Sequence, residues 1–545
     1  MDMEMTQTSI REVFDTVTDI PENCRISAPL YQRAILIDGE LKEWFGKRRS
    51  IDSAIVVRDE GGEIRQVQLG SIPDAGAVEA MAALHAADRA YGNGRGKWPT
   101  MRATERIACV EHFTDLILEK REEVVRLLMW EIGKALKDSE KEFDRTITYI
   151  KDTIVELKRL ENRGSHLEIV EGTIGQIRRS PLGVTLCMGP YNYPMNETFT
   201  TLIPALVMGN TVVLKPPRFG ALLYAPMMEA FQEAFPAGVV NLVYGKGSEI
   251  VPMLMATGKV NVLALIGSSR VADQLKKAHP KSNRLRAVLG LDAKNAAIVM
   301  PDADLDLTVR ECVSGSLSFN GQRCTAIKMI LVHRSIADEF VRRLAAAVNQ
   351  LKRGMPWQEG VSITPLPDHA RCEYLTACIA DAEAHGARVV NEGGGALHET
   401  LFHPAVVYPV TSEMKLYREE QFGPVVPVGT FDDVEEALNY VVNSDYGQQV
   451  SLFGQDASQI AEVVDALANQ VCRINLNGQC QRGPDAFPFA GRKDSAEGTL
   501  SVHDALRAFS IRTMVSVKEN DAGKELIQQI SESNVSRIVN SRITL

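Results

Sequence analysis

The chain has 545 residues, of which 45% are hydrophobic and 24% charged, and its formal net charge is −10. This length exceeds what a single hydrophobic core supports, so two or three domains are expected. The acidic balance argues against nucleic acid as the main partner, and no apolar run is long enough for a membrane span. A soluble globular enzyme is the class that remains.

The cysteines and the N-terminus indicate the cellular compartment. Nine cysteines are few for this length, and none forms a CxxC pair. This pattern predicts a reducing compartment, no zinc knuckle and mostly buried thiols, and no metal site is expected. The first residues, MDMEMTQTSIREVFDTV, are acidic and lack the apolar segment of a secretion signal. We therefore expect a cytoplasmic protein.

The predicted elements begin with a helical region. Residues 1–33 have weak periodicity and are expected to wrap the body, and helical patterns dominate from about 73 to 160. In KEFDRTITYIKDTIVELKRL, apolar residues recur at spacings of four and three, which predicts one buried helix face. The residues of that face are Phe143, Ile147, Ile150, Ile154 and Leu157.

From about residue 181, short β-branched runs alternate with amphipathic helices. The predicted strands are PLGVTLCMGP, TVVLKPP, VVNLVYG and VNVLALIG. The predicted helices between and after them are ETFTTLIPALVMGN, LLYAPMMEAFQEAF, SEIVPMLMATG and RVADQLKKAH. This alternation predicts an α/β fold with a doubly wound parallel sheet. A second alternating stretch runs from about 295 to 490, and LGLDAKNAAIV forms the predicted crossover between the two.

One cysteine lies in a segment suited to nucleophilic chemistry. Cys324 in SFNGQRCTAIK has small and polar neighbours, which favour a tight loop entering a helix. A helix N-terminus at this position would lower the thiol pKa and offer backbone N–H groups to an oxyanion. For any single cysteine taken alone, a buried and unreactive thiol remains the more common alternative.

Three separated motifs favour a catalytic role for Cys324 over a buried and unreactive thiol. FNGQRC, with GPYNYP upstream and EEQFGPVVPV downstream, resembles the aldehyde dehydrogenase superfamily in order and spacing over about residues 34–515. The resemblance implies a dinucleotide-binding domain, a catalytic domain and a small β oligomerisation arm. It also implies that Cys324 is the nucleophile and that the amide of Asn192 donates to the oxyanion, together with the Cys324 N–H.

The resemblance and the predicted elements together suggest domain boundaries. HLEIVEG and TIGQIRRS are expected to pair as arm strands with a strand after 500, and ENDAGKELIQQISESNVSRIVN is expected to form a surface helix on a polar linker. Because family members are usually dimers or tetramers, a homodimer or homotetramer is expected. The boundaries are 1–33 for an N-terminal extension, 34–161 and 181–292 for the dinucleotide-binding domain, 293–492 for the catalytic domain, 162–180 and 493–517 for the arm, and 518–545 for a C-terminal extension.

The resemblance also implies a dinucleotide site. The matching positions are Lys215, Gly247, Gly267, Ser268, Glu420 and Phe422. Lys215 ends a predicted strand and Gly267 precedes a predicted helix, which are places where ligands and pyrophosphates bind. Arg218 stands where NAD-preferring relatives often carry a glutamate. Since a guanidinium attracts a 2′-phosphate and an acid repels it, NADP is the expected cofactor.

A narrower resemblance concerns the substrate. GNGRGKWPTM, FNGQRCTA and NGQCQRGPDAFPFAG resemble the non-phosphorylating glyceraldehyde-3-phosphate dehydrogenases. That group grips a substrate phosphate with three arginines and a tyrosine, which match Arg145, Tyr193, Arg323 and Arg482. Such arginines bind oxyanions through paired N–H groups and would lower the pKa of a nearby thiol. A surface salt bridge, support of the cysteine loop and capping of loop carbonyls remain the alternatives for the three arginines.

These resemblances imply a specific reaction. D-glyceraldehyde 3-phosphate, a small phosphorylated aldehyde, would be oxidised with NADP⁺ to 3-phosphoglycerate through a Cys324 thioester, without an acyl phosphate.

One position departs from the superfamily. Most members carry a general-base glutamate in ELGGK, whereas this chain reads GLDAK with Gly290 at that place. Asp292, two residues later, is a candidate base acting through a water, and the alternatives are a weaker base elsewhere or a polar turn between domains. Without the glutamate, coenzyme A or phosphate could accept the acyl group, and another anionic semialdehyde could be the substrate. A catalytically weak nucleotide-binding relative is a further alternative, which the retained Cys324 and Asn192 argue against.

Overall fold

A computed structural model of the chain describes residues 14–59, 61–533 and 535–540. Most of the segment used to argue against a secretion signal, residues 1–13, lies outside these ranges. The described strands form two large sheets, an antiparallel arm and three smaller groups. No helix in the described ranges combines the length and the apolar character needed to cross a bilayer.

The first sheet has eight strands, and its five central strands are parallel. The chain enters the parallel part with Val184–Met188 and builds outward in both directions, so Val184–Met188 and Val262–Ile266 flank the point where strand order reverses. Ligands bind beyond the carboxyl ends of strands at such a point. Across the sheet the strands are Ala496–Glu497, Arg286–Gly290, Val262–Ile266, Val184–Met188, Thr211–Leu214, Val240–Leu242, Ala34–Ile37 and Glu40–Glu43.

The second sheet has seven strands, of which six run parallel. It begins with Asn295–Val299, immediately after the crossover that follows Arg286–Gly290 of the first sheet. The two sheets therefore meet at residues 291–294, and the predicted doubly wound α/β fold is confirmed. Across this sheet the strands are Arg388–Val389, Ala405–Tyr408, Val425–Phe431, Ile327–His333, Asn295–Val299, Gln449–Phe453 and Arg473–Leu476.

Helices surround both sheets. The longest, Leu136–Arg163, buries all five apolar residues predicted to form its inner face. In the described ranges the helices are Ala77–Tyr91, Lys97–Thr100, Ala103–Leu118, Arg121–Ile132, Leu136–Arg163, Asn196–Val207, Met228–Ala234, Gly247–Ala256, Ser269–Ala278, Leu305–Leu317, Ala337–Asn349, His369–Ala384, Lys415–Arg418, Val434–Asn443, Ala457–Leu467, Val502–Ala508 and Asp521–Ser533.

The arm is a three-stranded antiparallel sheet. Thr173–Pro181 pairs with Leu167–Val170 on one side and with Ser510–Lys518 on the other. The helix Asp521–Ser533 packs on this sheet instead of extending on a polar linker, because Ile527 is buried in a small cluster with Ile174.

Residues 493–497, assigned to the arm from the sequence, lie in the main body instead. Arg492–Lys493 pairs with Tyr446–Gly447, and Ala496–Glu497 pairs with the edge strand Arg286–Gly290 of the first sheet. An open sheet edge exposes backbone N–H and C=O groups, and Ala496–Glu497 pairs with those of Arg286–Gly290.

The described part of the N-terminal extension packs on the body. Phe14, Ile20 and Cys24 are buried, and Leu30–Tyr31 adds a parallel strand to Ile64–Pro73. Ile64–Pro73 in turn pairs with Arg48–Arg58, which completes one of the smaller sheets.

Candidate active site

One cavity, of about 980 Å³, brings most of the predicted site residues together. It lies at the carboxyl ends of the central strands of the first sheet and is closed on its other side by loops of the second sheet. The predicted residues in its lining are Arg145, Asn192, Tyr193, Gly267, Ser268, Asp292, Arg323, Cys324, Glu420, Phe422 and Arg482.

Cys324 lies in a loop that leads into a strand. The helix Leu305–Leu317 ends in a short turn, Ser318–Gly321, and the next regular element is the buried strand Ile327–His333. The predicted helix N-terminus at this cysteine is therefore wrong, because the chain enters the second sheet. Phe319 is held at a φ of 49°, a conformation that a bulky residue adopts only where tertiary contacts impose it.

The surroundings of Cys324 keep its thiol protonated. Burial and the carboxylate of Glu197 raise its pKa to about 11, whereas Arg482 and Lys328 act in the opposite direction. Arg482 lowers the pKa as expected of an arginine, but desolvation outweighs its charge, so the pKa is raised overall. Other buried thiols have a similar pKa, including Cys480 at about 11, so position and not acidity distinguishes Cys324.

Asn192 lies directly beyond the strand Val184–Met188 and is buried. Its Nδ2 donates to the Gln322 carbonyl at 2.7 Å, two residues before the nucleophile. An amide nitrogen carries two hydrogens, so one fixes the side chain and the other is left for a developing oxyanion. The backbone carbonyl of Asn192 accepts from Lys134 Nζ at 2.7 Å.

Tyr193 packs beside the same lysine. Lys134 Nζ lies 3.7 Å from the centre of the Tyr193 ring, and its charge is paired with Glu142. Burial raises the pKa of the Tyr193 phenol, so the hydroxyl remains a neutral donor. Lys134 and Glu142 thus hold the Asn192–Tyr193 turn in place.

A second charged group lies across from the thiol. Lys328 Nζ is 3.1 Å from Glu420 Oε1, donates to the Arg323 carbonyl at 2.8 Å and lies 4.5 Å from the centre of the Phe422 ring. Burial raises the pKa of the Glu420 carboxyl. Lys328 therefore connects the cysteine loop to two of the predicted cofactor residues.

Two of the three predicted anion-binding arginines are paired with carboxylates. Arg145 binds both oxygens of Asp485, at 2.9 and 2.8 Å. Arg482 donates Nε to Asp485 at 3.2 Å and Nη1 to Glu197. These contacts connect the long helix, the helix Asn196–Val207 and the loop at 482–485, so the guanidinium groups are fixed before any ligand enters.

Arg323 is held differently. Its Nη2 donates to the Gly315 carbonyl at 2.8 Å and to the Ser314 carbonyl at 3.3 Å, at the end of the preceding helix. Its Nε is buried and has no hydrogen-bond partner among the described residues. Arg323 thus supports the cysteine loop, and its buried Nε is a donor that the loop leaves unused.

Asp292 caps a helix at the edge of the cavity. Its Oδ2 accepts from Ser269 N at 2.7 Å and from Ser269 Oγ at 2.8 Å, at the start of Ser269–Ala278. Ser268 is the N-cap of this helix, and Gly267 N donates to the Gly290 carbonyl at 2.9 Å. A Cβ on Gly290 would lie 3.3 Å from Leu500 Cδ1, so a larger side chain there would require Leu500 to move.

Three predicted cofactor residues lie outside the cavity lining. A Cβ on Gly247 would lie 3.5 Å from Lys215 Nζ, so this glycine leaves room beside the lysine. Burial lowers the pKa of Lys215 to about 8, and Arg49 adds to that effect. Arg218 is largely exposed and lies 4.0 Å from Asp368.

Sequence reasoning missed six charged residues of the site: Arg49, Lys134, Glu142, Glu197, Lys328 and Asp485. Asp485 lies three residues after Arg482, which is a spacing that could have suggested the pair. No sequence pattern near Glu197 or Arg49 indicates a role in the site, because their partners are remote in the chain. Among the described residues, no group of three or more His, Cys, Asp or Glu side chains could hold a metal ion.

Comparison with known proteins identifies the family. The model of the aldehyde dehydrogenase family matches residues 62–515. The NADP-dependent glyceraldehyde-3-phosphate dehydrogenase of Streptococcus equinus is 35% identical over 460 residues, 83% of this chain and 92% of that protein. The 3-sulfolactaldehyde dehydrogenase of Priestia aryabhattai is 30% identical over 403 residues, 73% and 83% of the two chains.

A solved structure agrees with this assignment. The crystal structure of an NADP-dependent glyceraldehyde-3-phosphate dehydrogenase from Bacillus halodurans complexed with NADP has a TM-score of 0.82 and 32% identity, and covers 90% of this chain and 100% of that one. With its fold, its cysteine loop and these matches, the chain belongs to the aldehyde dehydrogenase family.

Proposed function

We propose that the protein oxidises D-glyceraldehyde 3-phosphate to 3-phosphoglycerate with NADP⁺, through a thioester on Cys324 and without an acyl phosphate. The observation that carries this proposal is one cavity lined by Cys324, Asn192 and the three arginines at 145, 323 and 482. The names of the Streptococcus and Bacillus relatives support the same aldehyde and the same cofactor.

The first half of the reaction uses groups that lie close together. The Cys324 thiol gives its proton to solvent, and Sγ attacks the aldehyde carbon, whose oxygen becomes an alkoxide. Asn192 Nδ2 and the Cys324 N–H donate to that oxygen, which lowers the energy of the tetrahedral adduct. The buried Lys134 keeps the Asn192 turn in register with the loop.

The residues of the cofactor region fit NADP. Arg218, Lys215 and Arg49 supply positive charge for a 2′-phosphate, the N-terminus of Ser269–Ala278 suits a pyrophosphate, and Glu420 can accept from ribose hydroxyls. NADP⁺, when bound, accepts the hydride that leaves the adduct, and the carbon then remains on Sγ as a thioester.

Arg218→Glu should lower kcat/KM for NADP⁺ by about 10- to 100-fold, because a charge-assisted contact contributes about 1.5–3 kcal/mol, while kcat/KM for NAD⁺ should not fall.

The substrate phosphate would bind the donors that the arginines keep free. Arg323 Nε lacks a partner among the described residues, and Arg145 uses Nε and Nη2 for Asp485, which leaves Nη1. Asp485 and Glu197 hold the guanidinium groups in fixed positions, so little side-chain entropy is lost when the phosphate binds.

Hydrolysis of the thioester needs a base, and we assign that role to Asp292. Only Oδ2 is used in capping the helix, so Oδ1 is available to a water in the cavity. Because the cap orients the carboxylate, Asp292 serves structure and chemistry through different oxygens.

A panel of aldehydes tests the proposed substrate. NADPH formation is measured with D-glyceraldehyde 3-phosphate, 3-sulfolactaldehyde, lactaldehyde and glyceraldehyde. We expect kcat/KM for the phosphorylated aldehyde to exceed that for glyceraldehyde by at least about 100-fold, since several charge-assisted contacts are gained. Equal rates with charged and uncharged aldehydes would contradict the proposal. No NADPH from any aldehyde would favour a nucleotide-binding protein without catalysis.

A second candidate reaction is favoured by Gly290, which removes the usual general-base position. In that reaction coenzyme A or phosphate would take the acyl group from Cys324, and the aldehyde could be another anionic semialdehyde. Steady-state rates measured with and without each acceptor separate the two reactions. A rate that does not depend on either acceptor supports hydrolysis, and a rate that requires one supports acyl transfer.

A further inference from the structure

A second concave surface lies at the base of the arm, far along the long helix from Arg145. We call it the arm-base depression, and it has a volume of about 560 Å³. It is formed where the helix Leu136–Arg163 ends beside two arm strands, and it shares no lining residue with the cavity at Cys324. Its charged lining residues are Glu161, Arg163, Arg178, Arg179, Arg507 and Arg512.

The arm-base depression concentrates positive charge in an acidic protein. The whole chain has a formal net charge of −10, yet five arginines and one carboxylate line this surface. That carboxylate, Glu161, is already bound to Arg178 Nη1 at 2.8 Å. The described residues of the lining therefore leave four guanidinium charges without a carboxylate partner.

The interior arginines are held by neutral groups. Arg179 donates Nε to Ser510 Oγ at 2.6 Å, and Nη2 to the carbonyls of Arg507 and Ser510, both at 2.9 Å. Such contacts fix the direction of a guanidinium without cancelling its charge. Burial and the charges of Arg507 and Arg512 lower the pKa of Arg179, as expected for cations held close together.

One donor in the arm-base depression has no acceptor. Arg178 is 6% exposed, and its Nη2 donates to the Asn540 carbonyl at 3.0 Å. Its Nε is buried and unpartnered among the described residues. A buried polar donor without a partner is costly, and a ligand is one of the usual ways in which that cost is removed.

Helix dipoles account for part of this arrangement. Arg163 and Arg507 each lie in the last turn of a helix, where positive charge is favourable. Arg178, Arg179 and Arg512 lie on arm strands, so no helix terminus explains them. Among the described residues, the lining therefore has more positive charge than helix termini and the carboxylate of Glu161 account for.

We propose that the arm-base depression is a binding site for a small phosphate-bearing anion, separate from the catalytic cavity. Fixed guanidinium groups offer paired N–H donors to phosphate oxygens, and a phosphate carries about −1.5 to −2 charges at neutral pH. Arg178 Nε and Arg179 Nη1 are the inner donors that have no acceptor among the described residues, and the exposed Arg163 and Arg512 supply adjustable outer ones.

Titration of the full-length protein with inorganic pyrophosphate in a calorimeter tests the site. The test variant is Arg163→Glu with Arg512→Glu, both at exposed positions where folding is little affected. The matched control is Arg284→Glu with Arg388→Glu, which makes the same charge change at exposed positions outside both concave surfaces. We expect the test variant to lose one bound pyrophosphate per chain, or to bind it at least tenfold more weakly, while the control binds as the unchanged protein does.

Two outcomes would overturn the proposal. Identical stoichiometry and affinity in the test and control variants would show that the arginines bind no phosphate. Pyrophosphate bound in the catalytic cavity would be retained in both variants, so its binding is distinguished from binding at the arm-base depression.

Sedimentation velocity of the same samples gives the second outcome. A changed oligomeric state in the test variant, without a change in pyrophosphate binding, would assign the surface to contact with another copy of the chain.

Discussion

The two sides of the catalytic cavity differ in how complete they are. On the nucleophile side, Cys324 lies beside an amide, Asn192, that is fixed by Gln322 and by the Lys134 contact. On the opposite side, where the family carries a glutamate, Gly290 has no side chain and Leu500 lies close to the space. Formation of the thioester and its release therefore depend on different residues. A substitution can alter one of these two steps and leave the other unchanged.

Loss of the nucleophile should have the largest effect. Cys324→Ala removes the atom that attacks the aldehyde, and removal of a nucleophile costs on the order of 10⁶-fold in kcat in other covalent enzymes. NADPH formation from glyceraldehyde 3-phosphate should fall to background. The control is Cys480→Ala, since that thiol also has a pKa of about 11 but lies outside the cavity lining. Comparable activity of the two variants would refute the role of Cys324.

The proposed base should affect only the second step. Asp292→Asn keeps an oxygen that can accept from Ser269, so the helix cap survives, but it removes the basic carboxylate. We expect the steady-state rate to fall by about 10²–10⁴-fold, as for loss of a general base, while the first turnover keeps its rate. Rapid-mixing measurement of NADPH absorbance separates the two phases. An unchanged steady-state rate would remove Asp292 from the mechanism.

The oxyanion donor should affect the first step. Asn192→Ala removes one hydrogen bond to the developing alkoxide, which costs about 10²–10³-fold in kcat where such donors have been removed. The rate constant of the first turnover should fall by that factor. A first turnover as fast as in the unchanged protein would mean that Asn192 serves only to hold the Gln322 loop.

The pH dependence of the thiol should change its reactivity by about tenfold per pH unit. Because the pKa of Cys324 is raised to about 11, the proton-bound form persists through neutral pH and the thiolate fraction rises about tenfold per pH unit below that value. In the protein without NADP⁺, alkylation of Cys324 by iodoacetamide should therefore accelerate steadily from pH 7 to pH 10. The rate is followed on the Cys324 peptide by mass spectrometry. A plateau near pH 7 would contradict the structure.

Much of the fold could be predicted, because local periodicity encodes it. Residue spacing predicts the inner face of Leu136–Arg163 and the alternating strands and helices after residue 181, and the structure confirms both. The site residues were found through motifs, and eleven of them line one cavity.

The electrostatics of the site could not be predicted in the same way. Arg482 meets Glu197, 285 residues away, and Arg145 meets Asp485, 340 residues away. Such pairs depend on how whole elements pack, which residue spacing does not contain. The predicted helix after Cys324 is wrong for a related reason. Small polar residues favour a tight loop whether a helix or a strand follows.

Pre-steady-state NADPH formation tests the central claim most directly. The protein is mixed with saturating NADP⁺ and glyceraldehyde 3-phosphate, without phosphate or coenzyme A, and the quenched samples are digested for mass spectrometry. We predict a burst of about one NADPH per active site, a 3-phosphoglyceryl thioester on the Cys324 peptide and a slower release of 3-phosphoglycerate. Absence of both the burst and the adduct on Cys324, with NADPH still forming, would contradict the account.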